Sequence, residues 1–283
     1  MRRRSGQKRV GHAGTLDPLA TGVLPICLGQ ATRIVEYLVS SPKAYYATIR
    51  LGAATDTYDS EGAVTATGDP SGLTRADVEA ALQGFAGEIE QLPPMYSALK
   101  FAGRPLYSYA RAGKEAPRQA RTVRVYRLEL RAFEPGVVEV EMEVGRGAYV
   151  RTLAHDLGER LGCHAHLERL TRLRSGPFRL ADAIGLDTLR QAAESGSWEE
   201  LLHAPDSVLE SWYAALLAEA HTRELCQGQT LLLEPARQEQ PEPGPDTLCR
   251  AYSHEGEFLG ILHYRGAGRW QPEKVFASRQ DFP

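Results

Sequence analysis

An acidic side chain wedged between a leucine and a proline is the first residue here placed for chemistry. Asp17 lies in G-H-A-G-T-L-D-P-L-A-T-G, residues 11–22, whose three glycines and one proline exclude a regular helix. A carboxylate can act as nucleophile or base, yet apolar surroundings disfavour its charged form. Two more candidates sit at element ends, where sites are usually built. Tyr45 opens an alternating segment, and Arg151 falls in the first turn of a predicted helix. On residue type alone the plainer readings win: Asp17 as a turn-former before proline, and His12 as an ordinary loop histidine.

The elements around these residues follow from pattern. In Ala44–Leu51, residues Tyr45, Ala47, Ile49 and Leu51 share the more apolar face. T-G-V-L-P-I-C-L-G, residues 21–29, reads as one short buried strand, and Ala31–Val39 as a helix. Thr74 caps a helix with Asp77 as its reciprocal partner, and Val78, Ala81, Leu82 and Phe85 form the buried stripe. Residues 91–107 are irregular, Pro-rich and aromatic. Val123–Phe133 and Val137–Val144 read as paired strands. A helix starts near Tyr149, with Val150, Leu153, Ala154, Leu157 and Leu161 at helical spacing. Beyond residue 210, one helix (Trp212–Cys226) is predicted to lead into short strands, with a polar, Pro-rich loop over 234–246. Without regular βαβ alternation the fold class is α+β, with a mixed, mostly antiparallel sheet and a small β-rich C-terminal domain. The expected boundary separates residues 1–210 from 211–283.

Composition narrows the function classes. The chain has 283 residues, 42% of them hydrophobic, enough for a sizeable core. No apolar run reaches the roughly eighteen residues of a membrane span, and the basic N-terminus has no apolar stretch behind it. Four widely spaced cysteines without a C-x-x-C pair fit a reduced, cytoplasmic protein. The net charge of −3 hides a polarised chain. Arg2, Arg3, Arg4, Lys8 and Arg9 crowd the start, and Lys100, Arg104, Arg111, Lys114, Arg118, Arg121 and Arg124 stand against Glu115 alone. Such a stretch, with Tyr107 and Tyr109 interleaved, suits phosphates and looped RNA; solvated surface charge is the plain alternative. Cys163-His164-Ala165-His166 is too short for a metal site, so no metal is expected.

The motif G-H-A-G-T-L-D-P-L-A-T-G-V-L-P closely resembles the signature of bacterial tRNA pseudouridine-55 synthases of the TruB type. K-A-Y-Y with L-G-A-A-T-D-T-Y-D-S-E-G resembles the second motif of that family, and Q-L-P-P-M-Y-S-A-L-K with L-Y-S-Y-A-R-A-G the third. G-A-Y-V-R-T-L-A-H-D-L-G resembles its arginine motif. The tail F-L-G-I-L, followed by W-Q-P-E-K-V-F, is similar to the PUA-like RNA-binding domain that ends these enzymes. The resemblance implies a pseudouridine-synthase catalytic domain over 1–210 and a PUA-like domain over 211–283. It also implies isomerisation of uridine to pseudouridine in the tRNA T-loop.

By motif position, Asp17 matches the catalytic aspartate, Arg151 the arginine that pairs with it, and Tyr45 the tyrosine that stacks on the target uracil. His12 matches the residue filling the space of the flipped base, and Leu170 falls near an apolar residue lining the uracil pocket. Tyr149, Lys100, Arg104 and Arg111 complete the implied substrate-binding set. The physics agrees. A guanidinium in contact holds a carboxylate's pKa down by about 1–3 against desolvation, and only arginine offers a fixed fork for two oxygens. A dry apolar loop with Arg151 keeping Asp17 charged is therefore expected. Attack on the sugar, attack on the ring and removal of a sugar proton all stay open for Asp17. No redox step occurs, so no cofactor is expected. The partner is the T-arm of tRNA, with no membrane and no protein partner required, and the protein is expected to be a monomer.

Two departures from the family pattern stand out. Family members begin with a further strand and a K-P-x-G-x-T-S-type segment, so the catalytic domain is expected to be N-terminally incomplete, with reduced stability and weak activity. V-G-R-G-A-Y-V-R stands where C-S-K-G-T-Y-I-R is usual, and Arg146 keeps the charge. The rival reading is a non-catalytic tRNA-binding or RNA-folding module, which would have no use for a carboxylate where phosphates approach.

Overall fold

Two short strands bracket the Asp17 loop, β1 (Val10–His12) before it and β2 (Ala20–Gly22) after it. In the computed structural model, which describes residues 5–233 and 243–277, the segment read as one buried strand over 21–29 is interrupted. Pro25 has no N–H to give a ladder; β2 stops at Gly22 and β3 (Ile26–Leu28) pairs instead with β1, leaving Leu24 and Ile26 exposed. The predicted helix over 31–39 starts as a 3-10 turn (Gly29–Ile34) and becomes helical as α1 (Val35–Ser40). Its last carbonyls, Leu38 O and Val39 O, accept hydrogen bonds from the buried Lys43 Nζ at 2.9 and 2.6 Å.

Strand β4 (Lys43–Leu51) carries the predicted alternation, with Ala47, Ile49 and Leu51 buried. A small hairpin, β5 (Ala53–Thr55) and β6 (Val64–Thr67), leads to α2 (Arg75–Gln83). The capping box forms as expected: Thr74 Oγ1 accepts from Asp77 N, and Asp77 accepts from Thr74 N. After β7 (Gly87–Gln91) come the short hairpin β8 (Lys100–Phe101) and β9 (Arg104–Pro105), then α3 (Leu106–Ala110), a turn of helix not foreseen in the basic stretch. The long hairpin β10 (Arg121–Glu134) and β11 (Val137–Val144) precedes α4 (Val150–Arg160), β12 (Ala165–Ser175) and β13 (Phe178–Arg179).

The main sheet runs β13-β12-β4-β11-β10-β7, antiparallel throughout, with β2 added in parallel alongside β12. Helices α2 and α4 supply Val78, Ala81, Leu82, Leu153, Ala154 and Leu157 to a core with Ala47, Ile49, Val138, Val140, Met142 and Leu167. Emptying such a fully buried leucine position typically costs about 2–5 kcal/mol. Gly158 lets α4 turn tightly into β12, because a Cβ there would lie 2.1 Å from Ala165 N.

Contacts divide the chain into two compact units. One comprises residues 11–27 and 35–189; the other comprises 28–34 and the described residues of 1–10 and 190–283. In the second unit, the helix predicted over Trp212–Cys226 is a strand followed by a shorter helix, β14 (Tyr213–Leu217) and α5 (Glu219–Cys226). Alanine and leucine favour helix locally. Here parallel pairing of β14 with β16 (Leu248–Ser253) overrides that preference, burying Leu217 and exposing Leu216. The five-stranded sheet is completed by β15 (Leu231–Leu232), β17 (Phe258–Tyr264) and β18 (Arg269–Val275), in the order β14-β16-β17-β18-β15. Leu225 of α5 joins Leu231, Ala251, Leu259, Leu262 and Trp270 in its core. The fold class is thus α+β with mixed, mostly antiparallel sheets and a β-rich C-terminal part. Arg2, Arg3, Arg4 and positions 234–242 of the acidic loop lie outside the described residues.

Candidate active site

Arg151 stands in the first turn of α4, two residues after the helix N-cap, Tyr149. The buried Gln91 fixes this end: its Oε1 accepts from Tyr149 N at 2.9 Å and its Nε2 donates to Tyr149 O at 3.2 Å. A helix start carries partial positive charge, and α4 has no acidic residue in its own first turn to meet it. The acids come from elsewhere in the chain. Arg151 Nε donates to Asp17 Oδ2 at 2.8 Å and Nη2 to Asp17 Oδ1 at 3.0 Å, a two-pronged grip. Nη2 also donates to Tyr96 O at 3.0 Å, and Nη1 to Thr57 O at 3.2 Å. Asp59 Oδ2 lies 3.5 Å from Nη1.

The dryness expected around Asp17 is distributed differently. Its side chain is 34% exposed, whereas those of Arg151 and Asp59 are 5% and 4% exposed. The open glycine-rich loop leaves the carboxylate facing solvent, and the sheet side of the site buries the arginine that holds it. Asp59 is itself braced, since its Oδ1 accepts from Thr57 Oγ1 at 2.6 Å and Glu61 N at 3.1 Å.

Tyr45 and Leu170 meet this region through sheet register. Tyr45 pairs across β4 and β12 with Arg172, and Leu170 pairs with Ala47 on one side and Ala20 of β2 on the other. Burial pushes the Tyr45 phenol above its ordinary pKa, against the pull of the nearby Arg172 guanidinium, and Asp17 pushes it further up. The Tyr149 phenol is likewise pushed up by burial. Both therefore stay protonated at neutral pH. Arg172, almost wholly buried, donates to Val23 O at 2.7 Å and Gly14 O at 3.1 Å, main-chain oxygens on either side of Asp17. Gly22 crosses β12 so closely, at φ +107°, that a Cβ there would lie 2.3 Å from Arg172 O.

The remaining expected site residues are not part of this cluster. His12 is exposed at the end of β1. Lys100, Arg104 and Arg111 are exposed on the separate segment formed by β8, β9 and α3. There, Arg104 lies 5.4 Å over the Tyr109 ring and Arg111 5.4 Å over the Tyr107 ring. The interleaved tyrosines are thus covered by neighbouring arginines, a cation–π arrangement that presents charge outward. Asp59, Gln91 and Arg172 were not anticipated. Asp59 stood inside the quoted L-G-A-A-T-D-T-Y-D-S-E-G motif with no role of its own; Gln91 and the carbonyl partners of Arg151 have no signature in residue type.

Residues 2–150 match the family model for TruB family pseudouridylate synthases (N terminal domain), and residues 151–211 match that for the tRNA pseudouridylate synthase B C-terminal domain. The chain belongs to the TruB family of pseudouridylate synthases. A tRNA pseudouridine synthase B from Pseudomonas paraeruginosa is 43% identical over 274 residues, covering 96% of this chain and 88% of its own. One from Chromohalobacter salexigens is 41% identical over 275 residues, covering 97% and 87%. In fold, the whole chain superposes on 80% of a chain in the crystal structure of a Cbf5-Nop10-Gar1 complex, at TM-score 0.75 and 24% identity. It likewise superposes on 80% of a chain in the structure of an H/ACA RNP bound to a substrate RNA containing 2'-deoxyuridine, at TM-score 0.76 and 22% identity.

Proposed function

We propose that this chain isomerises uridine to pseudouridine in tRNA, at position 55 of the T-loop, with Asp17 as the catalytic carboxylate. The reaction breaks the N1–C1′ bond of the uridine, turns the uracil and joins C5 to C1′. The C5 proton leaves and N1 gains one, so atoms and electrons balance with no redox step.

The two-pronged pairing of Asp17 with Arg151 carries this reading. The arginine fixes the carboxylate's direction, while the carboxylate keeps its solvent-facing side for substrate. An extruded base supplies the apolar cover that the free loop lacks. Extrusion costs roughly a few kcal/mol, offset by stacking and by filling the vacancy. In this reading Tyr45 offers the stacking face, Leu170 an apolar wall, Tyr149 a neighbouring contact, and His12 fills the gap. Lys100, Arg104 and Arg111 hold phosphates of the T-arm, and residues 211–283 act as a PUA-like RNA-binding domain. The enzyme works in the cytoplasm as a monomer without a protein partner; no helix among the described residues is long and apolar enough to cross a membrane.

The deciding experiment is Asp17→Asn, assayed by tritium release from tRNA labelled at uridine C5. The amide should bind unmodified tRNA like the parent and lose activity by about a thousandfold or more. Parent-rate product from the amide variant would show that Asp17 is not the catalytic carboxylate.

A further inference from the structure

The loop that carries Asp59 and the helix that carries Arg151 touch a second time, through a pair of rings. Tyr58 lies between Thr57 and Asp59, the two residues whose oxygens face Arg151 Nη1. Its backbone is left-handed, at φ +64°, a conformation that aromatic residues rarely adopt. Its ring lies flat on the imidazole of His155, with centroids 4.0 Å apart and planes inclined by 6°. His155 is one helical turn beyond Arg151 on α4, so both project from the same face of the helix.

Hydrogen bonding at Nδ1 does not explain the place of His155. Its Nδ1 is buried and has no hydrogen-bond partner among the described residues, an arrangement that costs stability. What the ring supplies is a flat surface, and Tyr58 uses it. Left-handed backbone at Tyr58 reverses the chain, so that Thr57 O and Asp59 Oδ2 both reach the same guanidinium nitrogen. A residue held so far from its preferred conformation needs its surroundings to keep it there.

We propose that the Tyr58–His155 stack is a positioning clamp for the reaction. It presses the 57–59 turn against α4 and occupies Arg151 Nη1 with Thr57 O and Asp59. Nε and Nη2 are thereby left aligned on Asp17. Neither ring need touch substrate. The kinetic part of this inference rests on the pseudouridine-synthase reading; the geometric part does not.

The test uses the full chain with His155→Ala, His155→Phe, Tyr58→Gly and Tyr58→Phe. Glycine accepts the left-handed backbone without strain, so a defect in Tyr58→Gly reports loss of the ring. We expect His155→Ala and Tyr58→Gly to lower kcat about tenfold or more with KM changed less than about threefold. The two phenylalanine variants keep the stack and should stay within about twofold of the parent. Parent-like kcat in both His155→Ala and Tyr58→Gly would overturn the clamp, as would equal losses in the phenylalanine variants. A second readout is the arginine Nε–H proton resonance of Arg151, identified by its absence in Arg151→Lys. Its exchange with water should be slow in the parent and in His155→Phe, and fast in His155→Ala. Should the parent form no pseudouridine, the functional reading falls and the exchange rates still decide: unchanged protection in His155→Ala sinks the clamp.

Discussion

Two groups of charges on the same unit show how differently ion pairs are used. On the open face of the main sheet, Arg127 and Arg131 bridge Glu129 and Glu141, all from β10 and β11 and all in contact with solvent. At the start of α4, the single guanidinium of Arg151 meets two carboxylates and two main-chain carbonyls. Exposed pairs gain little, about 0–1 kcal/mol, because water already solvates both partners. Burying an arginine costs several kcal/mol before any pairing, and truncating one partner of a buried pair typically costs about 3–5 kcal/mol. The open-face ladder costs little desolvation and contributes little. The α4 cluster costs desolvation and returns orientation, which is what a reaction needs from a carboxylate.

The hardest test of that contrast is Arg151→Lys. It keeps the charge and removes the fork, so a point charge can no longer span Asp17 and Asp59. Activity should fall about a hundredfold or more while the charge count is unchanged; a lysine variant near parent rate would mean that charge alone suffices. Asp59→Asn should have a smaller effect, roughly tenfold on kcat, because Asp59 shares Nη1 with Thr57 O and does not touch Asp17. Thermal unfolding should show a loss beside it, since a buried, hydrogen-bonded acid is replaced. Arg131→Ala on the open face should change stability by less than about 1 kcal/mol in urea titration and leave turnover unaltered.

A third arrangement, in the C-terminal unit, lies between these extremes. Tyr252 Oη donates to Asp206 Oδ2 at 2.6 Å and accepts from Arg250 Nη1 at 3.0 Å. Burial, aided by Asp206, pushes its pKa up to about 12. The folded state then keeps a proton that the unfolded chain has lost, so the stability this group contributes is present below pH ~10 and is lost as pH rises toward ~12. The stability difference between the parent and Tyr252→Phe should therefore shrink over that window in unfolding experiments. A constant difference would show that the phenol titrates normally.

Legibility in the sequence followed the range of the forces involved. The Thr74–Asp77 capping box was readable because four consecutive residues contain the whole interaction. The 123–144 hairpin and the helix after Tyr149 were readable because their apolar periods differ. Residues 213–217 were not, because a run of alanine and leucine favours helix until a strand some thirty residues later pairs with it. The site divides in the same way. Asp17, Tyr45 and Arg151 were found through motifs, and the Asp17–Arg151 contact followed from the resemblance. Asp59 lay in a quoted motif, but its burial depends on how α4 docks. Thr57 O and Tyr96 O could not be read from residue type, since every residue carries a carbonyl. Tyr58 and His155 are nearly a hundred positions apart, and nothing local announces that their rings meet.

The parallel joint between β2 and β12 has a consequence for how this loop can vary. Ala20 is hydrogen-bonded back to Asp17 O, and Ala20, Thr21 and Gly22 then keep step with Leu170, Thr171 and Arg172. Strand side chains alternate faces, so sliding this splice by one position turns every side chain over, and it would carry Gly22 off the one place where β12 leaves no room for a Cβ. The length of chain between the carboxylate and the splice is therefore a whole-number setting, not an adjustable slack. Drift in length should be tolerated upstream of His12 or beyond Leu28, and refused in between.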